Sequence, residues 1–284
     1  MLLLRFLNVV APAYFLSISL VTFGLQLFLF IPSMFQDPSA APLCPSALLH
    51  GALFLFFSAN AVGNYILVIQ NSPEDLGTKE DQSLASGGAG EGAKVVPPGQ
   101  EEDGNGQPSA VLPGTHFCRL CARVTQRHDH HCFFTGNCIG SGNMRNFVMF
   151  CLYTSLACLD SLVAGVAYIS VVLSTSFASP LAFLTLLPHS ITQFFSGALL
   201  SSEMFVILML YLWLGIGLAC AGFCCHQMLL ILRGQTRYQV RKGMAARARP
   251  WKKNLEEVFG KRWLLGLLIP MLNVGSDYHK QKEK

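Results

Sequence analysis

Apolar residues gather in four long blocks, running approximately over Phe6–Phe30, Ala47–Ile69, Phe147–Val172 and Met204–Leu232. A bilayer core of about 30 Å takes about 20 apolar residues wound as a helix, and each block reaches that length. The pattern therefore predicts an α-helical polytopic membrane protein with four transmembrane helices. The first block is longer than the core of a secretory signal and lacks a small-residue cleavage site, so it reads as a retained helix. The apolar run around Pro180 to Pro188 is too short to span and is bracketed by prolines, which predicts a loop or interfacial segment.

Composition agrees: 52% of the 284 residues are hydrophobic and 13% charged, too apolar for an ordinary soluble domain. The charges also orient the chain. Of the twenty Lys and Arg residues, Arg5 precedes the first block, six lie in residues 71–146 and thirteen in 233–284, while loops 31–46 and 173–203 carry none. Basic residues in short loops favour the cytosolic side, so both termini and the loop between spans two and three are expected there. The ten cysteines are then mostly in a reducing compartment, where spaced Cys/His sets point to metal or catalysis rather than disulfides. The basic tail is explained by an anionic lipid leaflet, and no nucleic-acid partner is expected.

Between spans one and two (residues 1–70) and spans three and four (147–232), the cytosolic loop has two parts of different character. Residues 71–115 are rich in Gly, Pro, Ser and acidic residues, and read as a disordered linker. From residue 116 to 146 the composition changes to Cys, His and Arg with turn-forming Gly and Asn. So small a module ordinarily needs a metal to fold. Residues 233–284 form a basic tail whose apolar patch, Trp263 to Leu272, is too short to span but suited to lying on a membrane face.

Cys118 and Cys121 make a C-x-x-C pair, followed by His128, Asp129, His130, His131, Cys132 and Cys138. Zinc takes four tetrahedral N or S ligands, and a C-x-x-C turn supplies two, so a structural zinc completed by a downstream His and Cys is expected. The run from Asp129 to Cys132 adds a second chemistry. A cysteine attacks as thiolate, a nearby imidazole can take its proton, and a carboxylate can fix the imidazole's tautomer. In an extended strand His130 and Cys132 share one face and His131 takes the other, assigning His130 to catalysis and His131 to metal. A competing assignment makes Cys132 a ligand and leaves no nucleophile.

The motif Asp129-His130-His131-Cys132, with Asn137, Cys138, Ile139 and Gly140 after it and Asn143 and Phe147 before the third span, resembles the DHHC-type protein S-palmitoyltransferases. Asn254 and Val258 to Gly260 resemble that family's C-terminal motif. The resemblance implies Cys132 as the acylated nucleophile, His130 as its base and Asp129 as the residue orienting that base. It implies Cys118, Cys121, His131 and Cys138 as zinc ligands, palmitoyl-CoA as acyl donor, and membrane-associated proteins with cytosolic cysteines as acceptors. An endoplasmic reticulum or Golgi location is also implied. CoA phosphates need positive charge, and Arg127, Arg145, Arg233 and Arg237 lie at span ends or beside the motif.

The chain departs from the family in four places. A second Cys-rich stretch is replaced by residues 122–128, so a single zinc is expected, with His128 as substitute should one ligand be displaced. Asp-Pro-Gly becomes something like residues 71–77. Thr-Thr-x-Glu becomes Thr236-Arg237-Tyr238-Gln239, and the Pro-Trp after the nucleophile becomes Phe133-Phe134. These changes keep open a zinc-stabilised membrane adaptor with little turnover. A thiol oxidoreductase using Cys118 and Cys121 lacks a surrounding thioredoxin-like pattern. Within the third span, Asp160 is costly unless partnered, and Asn60 and Asn64 of the second are the expected interhelical partners.

Overall fold

A computed structural model describes residues 2–35, 45–71, 115–174, 177, 180–246 and 248–268. Four of its helices are long and apolar enough to cross a membrane: Leu3–Ser33, Leu48–Gln70, Met144–Val172 and Ser201–Leu232. The first comprises α1 (Leu2–Leu25), a π turn (Gln26–Phe30) and α2 (Ile31–Phe35); the others are α3 (Pro45–Gln70), α4 (Met144–Val172) and α6 (Ser201–Leu232). The linker expected over 71–115 falls almost wholly outside the described residues, as does the apolar patch beyond Leu268.

Spans three and four form the spine of the bundle, with α3 packed against α4. On the side of the Cys/His module the core centres on Tyr65, Phe147, Phe150, Ile231 and Phe259, and at the opposite end on Phe30, Ile169, Leu210 and Trp213. Apolar side chains facing outward, such as Leu20, Val163 and Leu218, meet lipid rather than water.

Polar residues inside the spans pair up, though not as the sequence suggested. Asp160 approaches His50, 3.5 Å from its Nδ1, rather than Asn60 or Asn64. The π turn brings Gln26 into the same polar group: its Oε1 lies 3.2 Å from His50 Nε2, and its amide donates to Ser161 at 3.2 Å. Asn64 instead accepts from Asn146 at 3.2 Å, and Asn60 bonds the carbonyl of Phe56. The reason is depth. At 1.5 Å per residue Asp160 lies about 24 Å along α4 from its module end, whereas Asn64 is only about 9 Å from that end of α3.

The run around Pro180 to Pro188 is a helix, α5 (Pro180–Phe195), not a loop. Pro188 has no N–H to donate and would leave a gap in the ladder. Beside it the Tyr211 hydroxyl, from α6, accepts from Leu187 N at 3.0 Å and donates to the Phe183 carbonyl, bridging two backbone groups that a straight helix would join.

The Cys/His module consists of two small antiparallel hairpins: β1 (Thr115–Cys118) with β2 (Arg123–Gln126), and β3 (His130–Cys132) with β4 (Asn137–Ile139). It sits on the ends of α3 and α6. Helix C-termini leave carbonyls without intrahelical donors, and amides of the module supply them. Asn137 donates to the carbonyls of Val68 and Ile69, and Asn143 to Val68 and Cys138. After α6, Gly234 turns the chain at φ 67°, and Asn254 of α8 (Trp251–Phe259) donates to the Leu232 carbonyl at 3.0 Å. Between them, Thr236 caps α7 (Arg237–Arg241), and α9 (Trp263–Leu268) ends the described chain.

Candidate active site

The β3 strand sorts its side chains as its pleat requires. His130 and Cys132 face the cavity between the spans as neighbours that shift each other's protonation, while the His131 Nδ1 turns toward Cys118, Cys121 and Cys138. Asp129, 3% exposed, accepts through Oδ2 from His130 Nδ1 at 2.7 Å. That leaves Nε2 as the His130 atom for the Cys132 sulfur. The same Oδ2 accepts from Gln227 Nε2 of α6 at 2.7 Å, and Oδ1 accepts from the Arg237 backbone N–H at 2.7 Å.

The electrostatics follow from these bonds. Burial would raise the Asp129 carboxyl, yet donors from His130, Arg237 and Gln227 hold it below its usual range. Burial would lower His130, but Asp129 and the Cys132 sulfur raise it to about 9. Burial would raise Cys132 as well, but His130 and Thr135 outweigh it, so the thiol is held below its ordinary value. The arrangement favours thiolate beside imidazolium, the reactive form of a cysteine nucleophile.

The replacements at the family motifs keep this geometry. Thr236 accepts from Gln239 N, and the Gln239 amide oxygen accepts from Thr236 N at 2.9 Å, so Gln closes the capping box where the family has Glu. That cap aims the first amide of α7, Arg237 N, at Asp129. Phe133 and Phe134 occupy the β3–β4 turn, whose Phe134 carbonyl accepts from Tyr65 at 3.0 Å. Cys132 opens onto a cavity of about 440 Å³ between the spans, walled by Phe15, Ile18, Phe150, Trp213 and Cys220 among others.

On the other face of β3, Sγ of Cys118, Cys121 and Cys138 and Nδ1 of His131 lie within 4.8 Å of one another. Tetrahedral zinc with about 2.3 Å to sulfur and 2.0–2.1 Å to nitrogen sets ligand atoms about 3.5–3.8 Å apart. The separations of 3.5 Å between the Cys121 and Cys138 sulfurs, and 3.3, 3.7 and 3.7 Å from His131 Nδ1 to Cys121, Cys118 and Cys138, fit that ion. The charges fit too. Hydrogen bonding from Cys138 pulls Cys121 down to about 4, while the same contact pushes Cys138 well up, since three packed sulfurs cannot all ionise without a cation at their centre. Cys118 and Cys121 thus stand, with Cys138 and His131, in a four-donor set that could hold a metal ion.

His128 does not belong to that cluster, contrary to its expected role as substitute ligand. Its Nδ1 bonds Thr125 Oγ1 at 2.9 Å, and its ring stacks with His116 at 4.5 Å and meets the edge of Tyr238 at 5.9 Å. Burial holds this imidazole down at about 4. The stack fills the ground between β1, β2 and α7 with rings.

The four arginines are not gathered at one place. Arg237 lines the cavity that holds Cys132. Arg127 and Arg145 line a smaller one, about 80 Å³, beside α8, where Arg127 is ion-paired with Glu257. Arg233 is exposed at the end of α6. Three site residues escaped the sequence reading: Asn8, Thr135 and Gln227. Asn8 and Gln227 had a faint signal as polar side chains in apolar runs; Thr135 had none.

A carboxylate bonded to an imidazole, with a thiol beside them at the mouth of an apolar cavity between the spans and a Cys₃His cluster next to it, is an arrangement suited to membrane-embedded acyl transfer. Residues 109–243 match the family model described as DHHC palmitoyltransferase. Over all 284 residues the chain is 74% identical to palmitoyltransferase ZDHHC22 of Homo sapiens, covering the whole of both proteins. It is 46% identical to palmitoyltransferase ZDHHC22 of Danio rerio over 274 residues, 95% of this chain and 93% of that protein. It is 31% identical to the probable palmitoyltransferase ZDHHC24 of Homo sapiens over 238 residues, 83% of this chain and 78% of that protein. The chain belongs to the DHHC palmitoyltransferase family.

Proposed function

We propose that this membrane protein moves a palmitoyl group from palmitoyl-CoA to Cys132, and from there to cysteines of membrane-associated proteins. The observation that carries this reading is the series Asp129, His130, Cys132 opening onto the 440 Å³ cavity. The Cys132 thiolate attacks the acyl carbonyl, forming a new C–S bond. The C–S bond to CoA breaks as the tetrahedral adduct collapses, and CoA leaves as thiolate, with His130 the available proton donor. In the second half, His130 takes the proton of the acceptor thiol, that sulfur attacks the acyl-Cys132 carbonyl, and Cys132 leaves as thiolate. Both products are thioesters, so each half needs proton handling and little net driving force.

The cavity gives the chain length its value. Each methylene taken from water contributes about 0.8 kcal/mol, so a long acyl tail gains most from lying among Phe15, Ile18 and Phe150. CoA itself is too polar to follow and stays at the aqueous face, where Arg237 is placed to meet a phosphate. The zinc-like donor set of Cys118, Cys121, His131 and Cys138 would hold a structural ion. Such an ion supplies folding energy to the module and leaves His130 and Cys132 free on the other face of β3. The distribution of the basic residues supports a cytosolic side for both termini and the module, and with it action on proteins at the cytosolic leaflet of the endoplasmic reticulum or Golgi.

The alternative, an adaptor of the same fold without turnover, rests on the replaced family motifs, whereas the retained Asp129, His130 and Cys132 on the cavity favour turnover. Incubating purified protein with palmitoyl-CoA tests the proposal. A hydroxylamine-labile adduct of one palmitoyl group on Cys132, absent from Cys132→Ser and present in Cys225→Ser, is expected. An equal adduct in Cys132→Ser refutes it.

A further inference from the structure

His131 makes one more bond, and it leads away from the metal cluster. Its Nε2 lies 2.8 Å from Oδ1 of Asn8, on α1. A neutral imidazole carries one proton, so when Nδ1 presents its lone pair to a cation the proton sits on Nε2 and is donated to the Asn8 oxygen. The β3–β4 turn touches the same residue, for a Cβ added at Gly136 would stand 3.4 Å from the Asn8 carbonyl.

Span one is the least buried of the four. Only 11% of its apolar window is buried, against 28–33% for the other three. Yet Tyr14, Phe15, Ile18 and Thr22 of α1 wall the cavity below Cys132. Besides ring contacts of Phe15 with Tyr65 and Phe150, Phe23 with Phe54 and Phe30 with Trp213, the span is attached by polar bonds spaced along its length: Asn8 to His131, Thr22 to Trp213 at 2.9 Å, and Gln26 to Ser161 and His50. The first of these bonds connects the cavity wall to a candidate metal ligand.

We propose that Asn8 is a positioning residue for His131, holding the tautomer that ligates the metal, and that through this bond the metal latches α1 against the module. The inference rests on the reading of Cys118, Cys121, His131 and Cys138 as a zinc site, and not on acyl transfer. Partners that orient a ligating imidazole typically shift metal affinity 10–100-fold.

The test uses the full chain in detergent micelles, loaded with zinc and challenged with excess EDTA, with the metal remaining on the protein followed over time. Asn8→Ala is expected to release zinc about 10-fold faster or more. Asn8→Asp, whose carboxylate accepts the same proton in a charge-assisted bond, is expected to restore retention or exceed it. A residue that merely packs would not separate Ala from Asp in that order. Hydrogen exchange over residues 2–15 supplies the second readout: zinc removal should raise it in the wild-type chain, and Asn8→Ala should show the raised exchange with zinc still bound. Unchanged release in Asn8→Ala, or equal release in Asn8→Ala and Asn8→Asp, overturns the proposal while leaving the zinc site standing. A wild-type chain that takes up no zinc overturns the zinc reading itself, and the latch with it.

Discussion

Replacing Asp129 with Asn isolates the carboxylate's role, because the surroundings can accommodate the amide. Asp129 accepts three hydrogen bonds, from His130 Nδ1 and Gln227 Nε2 on Oδ2 and from Arg237 N on Oδ1. An Asn side chain has one acceptor oxygen. With that oxygen kept on Arg237 N, its NH₂ faces His130 and Gln227. Gln227 can turn its own Oε1 toward the new donor, since that buried atom has no hydrogen-bond partner in the native arrangement. His130 has to accept at Nδ1 and therefore carries its proton on Nε2, pointed at Cys132. It can then no longer receive the thiol proton. Cys132 returns to an ordinary thiol value of about 8.5 or above, which leaves about 3% thiolate or less at pH 7. The fall in thiolate and the loss of a positioned base together should slow acylation about 10²- to 10³-fold, or about 3–4 kcal/mol in the barrier. Single-turnover formation of acyl-Cys132, measured by intact mass across pH, tests this. The deficit should narrow above pH 9, where hydroxide ionises the thiol directly. A variant that keeps its zinc and thermal midpoint yet acylates within threefold of wild type at pH 7 would refute the assignment, as would a deficit independent of pH.

Three further outcomes follow from the same geometry. Gln227→Met removes a charge-assisted donor from a buried carboxylate and should cost about 1.5–3 kcal/mol of stability. In a cycle with Asp129→Asn the two losses should be less than additive, and strict additivity in thermal midpoints would count against the bond. Gly234→Ala forces φ 67° on an alanine and puts its Cβ 2.9 Å from Asn254 Nδ2, so it should cost about 2–3 kcal/mol. Gly243→Ala, at the same φ of 67° with nothing within 4 Å, is the control and should cost only about 1–2 kcal/mol; equal midpoints would remove the role given to Asn254. His128, held down at about 4 by burial, binds its proton less readily folded than unfolded. Its contribution is therefore complete above pH 6.5 and lost as pH falls toward 4, up to about 3 kcal/mol. Protonation of a metal's ligands would weaken the fold over the same range, so the measurement is the difference in slope: unfolding of His128→Phe should depend less steeply on pH between 6.5 and 4, and identical slopes would refute it.

The four spans were legible because a bilayer imposes a length and a composition on each, and both can be counted along the chain. The division of β3 was legible for a similar reason, since a period of two separates His130 and Cys132 from His131 wherever a strand forms. What could not be read is what spans one and four bring to the module. Asn8 lies 123 positions from His131, and Gln227 lies 98 from Asp129, so no local period links them. Gln227 carried only a faint signal, an amide near the end of an apolar run, where such residues in a membrane ordinarily have a partner. Asp160 pairs with His50 rather than Asn60 or Asn64 because of depth: rises counted from each helix end lead from Asp160 toward the His50 end of α3. His128, the expected substitute ligand, stands apart from the cluster because the backbone turns at Arg127, with φ 47°, and sets its ring against His116 of the other hairpin.

A module of two short hairpins has too little apolar surface to hold itself against a membrane, and here its position is fixed largely by amides meeting helix ends. Both N–H bonds of Asn137 go to carbonyls at the end of α3, and both of Asn143 are likewise engaged. Neither site tolerates a carboxylate, which would turn an acceptor on acceptors. Each bond contributes only about 1 kcal/mol, but all of them are directional. Asn137 and Asn143 fix the module to span two, Gln227 fixes Asp129 to span four and Arg237 N fixes it to α7 just beyond, and His131 reaches span one through Asn8. The thiol is thereby aligned with the cavity from three sides by contacts that a second metal ion within the module would not provide. A chain lacking the family's further cysteines can on this account keep the geometry of Cys132, because the bonds that register the nucleophile to the bundle lie outside the stretch that was lost.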